Sequence, residues 1–237
     1  MNKFELAKLE LEKICTHDPN KGCEQIFCIL HHKDYLGSHD GKSHACLACN
    51  LNDSVDKVYK FLSQNNYNSK DDFEYLFTVY ILLLYLLTEK LQTIFKYVGI
   101  TYEYVESKWS VLVEIRKWAN FIKHPKGFLF AHHPEFQFED EKAPISNSEL
   151  KIITYKDFVE PLYKREDEAK FKQTIHEFAN KKNLLVIVPC PERLAMELNR
   201  VCIEFCNKIK DNEHFKEILR EDSVLENYYI EELMNES

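Results

Sequence analysis

Three polar side chains near the middle of the chain have the types and spacing of a site that acts on a phosphodiester. Arg116, Asn120 and His124 follow one another at intervals of four residues, so on a helix they stack along one side. They combine a fixed cation, an amide and an imidazole that titrates near neutral pH. Arginine holds phosphate and histidine moves protons. The spacing equally fits a structural role, in which Arg116 pairs with an acid and His124 caps the helix.

Lysines accompany these three residues. Residues 108–127 contain Lys108, Arg116, Lys117, Lys123 and Lys126 but a single acid, Glu114. We expect Lys117, Lys123 and Lys126 to bind the phosphates of a substrate. The net charge of −8 argues against a surface that coats nucleic acid, although it permits such a local basic site.

The run Asn120-Phe121-Ile122-Lys123-His124, near the end of a predicted third helix, resembles part of the motif of the HEPN superfamily. These all-helical domains occur in prokaryotic toxins, defence systems and RNA-processing factors. Their usual motif is Arg, four to six residues and then His, commonly with Asn, Asp or His directly after the Arg. Here Ala119 stands where that Arg is expected. Arg116 lies one helical turn before Asn120, with seven residues between it and His124.

The resemblance implies a homodimer whose two motif helices face each other and cleave RNA without a metal. It implies that His124 is the general acid/base acting on the 2′-hydroxyl, while Arg116 and Asn120 steady the scissile phosphate. If the departure at Ala119 removes catalysis, it implies instead an inactive HEPN-like fold used for binding or dimerisation. His132 and His133 would extend the site if the chain folds back over the helix end.

A second candidate site is a zinc-binding module near the N-terminus. Cys28, His31, Cys46 and Cys49 form the pattern Cys-x2-His-x14-Cys-x2-Cys, which lies within the spacing of structural zinc sites. Other ligands are close by in the sequence: Cys15, His17, Cys23, His32 and His44. The alternative is an ordinary segment of reduced thiols, since a single Cys-x-x-Cys is only moderately specific.

The elements that position these residues are mostly helices. With 5 Gly and 7 Pro, the chain has few of the residues that punctuate sheet-rich folds. Apolar periodicity predicts a short amphipathic helix over 4–15 and core helices near 53–64, 70–98, 104–123 and 192–211. Short strands are predicted at about 128–134, 150–155 and 184–188.

These elements predict a mainly α fold: a helical bundle with a small β-containing insertion and an N-terminal Cys/His-rich module. The module occupies 1–50, and the bundle occupies 51–237 with the insertion at about 126–190. The charge runs at 139–141 and 166–168 are expected to be solvated. Cys202 and Cys206, four residues apart on an apolar helix face, are expected to pack in the core.

Other patterns limit the functional classes. The N-terminus has no secretory signal pattern, and the apolar stretch 75–87 is shorter than the roughly 20 residues that cross a bilayer. We therefore expect a soluble, cytoplasmic protein that does not act at a membrane. No Gly-rich phosphate loop, serine nucleophile elbow or dinucleotide fingerprint is present, which disfavours NTPases and dehydrogenases. The alternative to a ribonuclease is a non-enzymatic helical subunit that assembles with a partner protein.

Overall fold

The computed structural model describes residues 2–14, 47–64, 73–123, 134–142, 150–163, 183–209 and 211–215, with the isolated positions 172, 173, 176, 230 and 234. Within these residues the fold is mainly helical with one small sheet, as the sequence predicts. The helices are α1 (Lys3–Glu12), α2 (Leu47–Gln64), α3 (Phe73–Tyr97), α4 (Tyr102–Lys108), α5 (Ser110–Lys123) and α6 (Pro191–Ile209). The strands are β1 (Glu135–Phe138), β2 (Leu150–Ile153) and β3 (Asn183–Val188).

Helix α3 lies at the centre of the bundle, as its nearly continuous apolar sequence predicts. It packs between α2 and α5, and Tyr80, Leu84 and Leu91 are among its fully buried residues. The buried Tyr80 hydroxyl donates a hydrogen bond to the carbonyl of Pro191 at 2.9 Å, which ties α3 to the start of α6. Gly99 follows α3 with a φ of 70°, a backbone conformation that glycine adopts without steric cost. The predicted end of this helix at Gly99 is therefore confirmed.

The predicted third helix over 104–123 was wrong in one respect, because the structure divides it into α4 and α5. Trp109 separates the two helices, with φ −122° and ψ 42°. Its indole is fully buried, lies 4.9 Å from the ring of Phe95 and donates a hydrogen bond to Glu204 at 2.8 Å. Burying this side chain turns the backbone, and helical periodicity alone does not reveal such a turn because no Gly or Pro marks it.

The insertion between α5 and α6 contains a parallel sheet with strand order β1-β3-β2. The predicted strands at 150–155 and 184–188 are confirmed as β2 and β3. The first strand begins at Glu135, after the predicted strand at 128–134, of which residues 128–133 lie outside the described residues. In β1, Phe138 is buried beside Phe4 and Phe73, which places the sheet against the helical core.

Helix α1 belongs to the same core as the bundle. It begins with a capping box between Asn2 and Glu5 and packs mainly against α6. Phe4 and Leu11 are buried in the common hydrophobic cluster, and the Asn199 side chain of α6 donates a hydrogen bond to the carbonyl of Glu10. The Cys/His-rich segment that follows α1 lies outside the described residues up to position 46.

Candidate functional site

Helix α5 places three of the predicted site residues on one face. Arg116, Asn120 and Lys123 stand at successive one-turn intervals, and none of them is buried. The opposite side of the helix is anchored in the core by buried residues such as Ile115 and Trp118. A helix held in this way presents the three polar side chains on a rigid support.

Arg116 keeps its guanidinium accessible. Its side chain is 44% exposed, and its Nε lies 3.8 Å from Oε1 of Glu89 on α3. That separation is too long for a hydrogen bond, and a partly exposed ion pair of this kind contributes little stability. The Oε1 atom of Glu89 is buried and has no hydrogen-bond partner among the described residues. An anionic ligand can therefore reach the guanidinium of Arg116 without displacing a hydrogen bond to Glu89.

Lys123 lies one turn beyond Asn120, at the C-terminal end of α5. Its Nζ sits 3.8 Å from the centroid of the Tyr85 ring on α3, a cation–π contact that holds the ammonium beside the helix. Arg116 faces Glu89 and Lys123 faces Tyr85, so residue numbers rise along α5 as they fall along α3. The two helices are therefore antiparallel, and the C-terminal end of α5 lies beside the middle of α3.

Lys117 lies on a different flank of α5. Its side chain is only 15% exposed, and its Nζ is 3.5 Å from Oε1 of Glu160. Glu160 follows a π-helical turn, Tyr155–Val159, that packs against α5. The structure thus brings Arg116, Asn120 and Lys123 together and separates Lys117 from them.

The remaining predicted residues fall where the structure gives no side-chain description. His124 and Lys126 lie outside the described residues, although α5 extends to Lys123, the residue directly before His124. Of the predicted zinc ligands, Cys28, His31 and Cys46 lie outside, and Cys49 is described only as backbone in the first turn of α2. Across the described ranges, no group of three or more His, Cys, Asp or Glu side chains has the arrangement of a metal site.

Sequence reasoning missed an ion-pair network around Arg193, in the first turn of α6. Arg193 contacts Glu114 on α5, Glu139 after β1, and Glu197 one turn further along α6. Glu139 lies in the charge run that was expected to be solvated, and it is exposed, but its ion pair with Arg193 was not predicted. The strand β1 ends directly before Glu139 and so carries its carboxylate to Arg193. The Arg193–Glu197 spacing of four residues was the one visible signal.

The network is structural in character. Burial raises the pKa of Glu114 above its ordinary value, while hydrogen bonds from Arg193 oppose the rise and the nearby Glu139 adds to it. The same carboxylates hold the pKa of Arg193 above its usual range, against the effect of its own burial. A buried carboxylate matched by a permanent cation serves to fix α5, α6 and the sheet relative to one another.

Two of the described cysteines, Cys190 and Cys206, are poorly suited to act as nucleophiles. Burial, helped by a hydrogen bond with Asp140, raises the pKa of Cys190 to about 12, and burial raises the pKa of Cys206 to about 12. A thiol with such a pKa stays protonated at neutral pH. Cys202 and Cys206 are buried in the core on α6, as their spacing on an apolar face predicts.

Comparisons of the chain with protein-family models, with curated proteins and with solved structures give no match. Within the described part of the chain, α3 is the one helix that is long and apolar enough to cross a membrane by length and composition. In its most apolar window, 44% is buried inside the protein. The core helix of a soluble protein passes the same test.

Proposed function

We propose that this protein is a HEPN-like, metal-independent endoribonuclease that acts on RNA in the cytoplasm, in a toxin or defence setting. The observation that carries the proposal is the shared face of α5. Arg116, Asn120 and Lys123 lie along it, and the helix runs to the residue before His124. One further helical residue would add His124 to this face, four residues after Asn120.

The chemistry proposed for this face is transfer of the phosphodiester to the neighbouring 2′-hydroxyl. His124 removes the 2′-hydroxyl proton as a general base or protonates the leaving 5′-oxygen as a general acid. Arg116 and Asn120 steady the scissile phosphate and its developing charge. Lys123 and Lys126 attract the flanking phosphates. This mechanism requires no metal ion.

Two properties of Arg116 support its role despite its distance from His124 along the sequence. Eight residues of helix span about 12 Å, and the long arginine side chain covers part of that distance. The guanidinium is also only loosely paired with Glu89, at 3.8 Å. Lys117 is engaged by Glu160, so we assign it a smaller share of substrate binding than Lys123.

A homodimer is part of the proposal, and the outer face of α3 supports it. Tyr75, Val79, Leu82 and Leu86 form what we call the α3 ridge; Tyr75 is 60% and Leu86 55% exposed, and the other two are half-buried. Their spacing of four, three and four residues suits helix-to-helix packing. Two antiparallel ridges related by a two-fold axis would be self-complementary.

Such a dimer also brings the C-terminal ends of the two α5 helices close to each other. The C-terminal end of α5 lies beside Tyr85, near the middle of α3, so a two-fold axis close to Leu82 brings both α5 ends together. The same arrangement directs Arg116 of one copy toward Glu74, an exposed acid at the far end of α3 in the other copy. Opposite charges then meet at each end of the interface.

The alternative function is a non-enzymatic helical subunit that assembles with a partner protein. The observation that favours it is the pairing of basic residues on α5 with the protein's own acids, Arg116 with Glu89 and Lys117 with Glu160. In this case the α3 ridge would contact the partner protein. A structural zinc held by Cys28, His31, Cys46 and Cys49 would support the N-terminal module in either function.

Cleavage of a fluorescent single-stranded RNA by the purified full-length chain, with a chelator present, separates these two functions. The enzyme hypothesis predicts cleavage that Arg116→Ala slows, since removing a charged hydrogen-bond donor to the phosphate costs roughly 10-fold or more. Arg200→Ala is the matched control, because Arg200 is an exposed arginine on α6. No cleavage by the wild type would favour the alternative function, whereas cleavage that stops with chelation, or equal effects of the two substitutions, would contradict a metal-independent site at Arg116.

A further inference from the structure

A cavity lies at the junction of α3 and α4, outside the residues assigned above. It has a volume of about 430 Å³ and extends from Gln92 on α3 past the Gly99 turn to Tyr102 and Val105 on α4. This volume is within the range of small-molecule sites, about 300–1,000 Å³. The cavity is therefore large enough for a flat heterocycle with a substituent.

The wall of the cavity is largely apolar, and Gln92 is the residue that adds an amide to its lining on α3. Phe95, Ile100 and Val105 form apolar lining. Nε2 of Gln92 is buried and has no hydrogen-bond partner among the described residues. Leaving a buried amide unpaired is unfavourable, so a rotation of the Gln92 side chain that brings Nε2 to a ligand acceptor in the cavity would relieve that cost.

Two side chains at the rim add a ring and a charge. Tyr102 lines the cavity and is 49% exposed, which leaves part of its ring available for stacking. Lys96 also lines the cavity, is exposed and makes no ion pair with a described residue, so its ammonium is available to an anion. An aromatic face, an amide donor and a cation together match a base and a phosphate.

We propose that this cavity binds one nucleotide. The base lies against Tyr102 and the apolar wall and accepts a hydrogen bond from Gln92, while the phosphate contacts Lys96. Gln92 lies one helical turn beyond Glu89 on α3, and Glu89 faces Arg116. An RNA strand that crosses Arg116 can therefore place a neighbouring base in the cavity, and in that form the inference rests on the proposed ribonuclease function.

The test measures binding rather than cleavage, with two probes. One probe is a short fluorescent single-stranded RNA followed by anisotropy, using a backbone that carries 2′-O-methyl groups so that it cannot be cleaved. The other is free adenosine 5′-monophosphate followed by calorimetry. The variants are Tyr102→Ala, Gln92→Leu and Lys96→Ala. Their controls are Ile203→Ala and Lys60→Ala, which change exposed residues on α6 and α2 that do not line the cavity.

We expect Tyr102→Ala to weaken binding about 5- to 100-fold, as loss of base stacking does, and Gln92→Leu about 2- to 10-fold. The controls should leave affinity unchanged, and circular dichroism should show all variants folded. If the cavity variants bind both probes more weakly, a free nucleotide is a ligand. If they bind only the RNA more weakly, the ligand is a nucleotide within a strand. No binding of either probe, or binding that the cavity variants leave intact, overturns the inference. Cavity-dependent binding without cleavage of natural RNA would instead overturn only the proposed ribonuclease function.

Discussion

Arg193 donates hydrogen bonds to both carboxylate oxygens of Glu114, from Nη2 to Oε1 at 2.6 Å and from Nη1 to Oε2 at 3.0 Å. This two-point contact fixes both the distance and the rotation between α6 and α5. Glu114 stands two residues before Arg116 on the same helix. The rigidity of the candidate RNA-binding face therefore depends in part on an ion pair that lies behind it.

The first prediction concerns the stability that this pair provides. Arg193→Met should lower the free energy of unfolding by about 2–3 kcal/mol, since it leaves a buried carboxylate unpaired. The cost is smaller than the roughly 3–5 kcal/mol of a fully buried pair because the Arg193 side chain is 29% exposed. The double variant Arg193→Met with Glu114→Gln should regain part of the loss. Urea unfolding measures the stability of the wild type, the single variant and the double variant. Equal stability of the single and the double variant would contradict an energetic coupling between Arg193 and Glu114.

The second prediction concerns pH. Burial raises the pKa of Glu114, with Arg193 opposing the rise and Glu139 and Glu197 adding to it; Tyr155 is the other titratable group near it. Because the folded-state pKa lies above the ordinary value of 4.5, the stability that this proton contributes is present below pH 4.5. It is lost as the pH rises through the folded-state pKa.

Glu114→Gln replaces the titrating carboxyl group with a neutral amide and should change how the free energy of unfolding depends on pH. The stability of the variant relative to the wild type should increase as the pH rises above 4.5. Urea unfolding of both proteins between about pH 4 and pH 7 measures the difference. A difference that falls over this interval would mean that the carboxylate is stabilised in its charged form, against the assignment made here.

The third prediction concerns the dimer. Leu86→Glu, on the exposed α3 ridge, should weaken self-association at least about 100-fold, because a two-fold interface loses the buried leucine twice. Met196→Glu is the control, since Met196 is similarly exposed on α6. Sedimentation velocity across a concentration series measures the effect. A wild-type protein that stays monomeric, or a dimer that both variants leave intact, would exclude the α3 ridge as the interface.

The fourth prediction concerns zinc. The protein purified without added metal should contain about one equivalent of zinc, as a closed four-ligand site binds one ion. Cys46→Ser and Cys28→Ser should each lower that content, whereas Cys190→Ser should not, since Cys190 is a protonated core thiol. Elemental analysis by mass spectrometry gives the number. Zinc at less than about a tenth of an equivalent would eliminate the module as a metal site.

Sequence patterns predicted the helices and strands that are determined by their own local sequence. Helix α3 is apolar around most of its circumference, and β3 is a continuous apolar run, so both were predicted close to their observed bounds. The division at Trp109 was not predictable, because a tertiary hydrogen bond to Glu204 stabilises it. The ion pair between Glu139 and Arg193 was likewise not predictable, since the two residues are 54 positions apart in the sequence.

The candidate site likewise has some features that the sequence predicted and others that it did not. Helical spacing predicted that Arg116 and Asn120 share a face. It did not predict that Lys117 pairs with Glu160, since the π-helical turn before Glu160 belongs to the insertion. The cavity beside Gln92 was also invisible in the sequence, because its walls come from two helices joined by the Gly99 turn.

The most direct test of the central claim is the rate of RNA cleavage by His124→Ala, compared with that of the wild type in the presence of a chelator. We expect the wild type to cleave RNA and the variant to lose at least about 100-fold in rate, as loss of a general acid/base does. Equal circular dichroism and equal affinity for uncleavable RNA would show that the variant still folds and binds. Cleavage at the wild-type rate by His124→Ala would contradict the account.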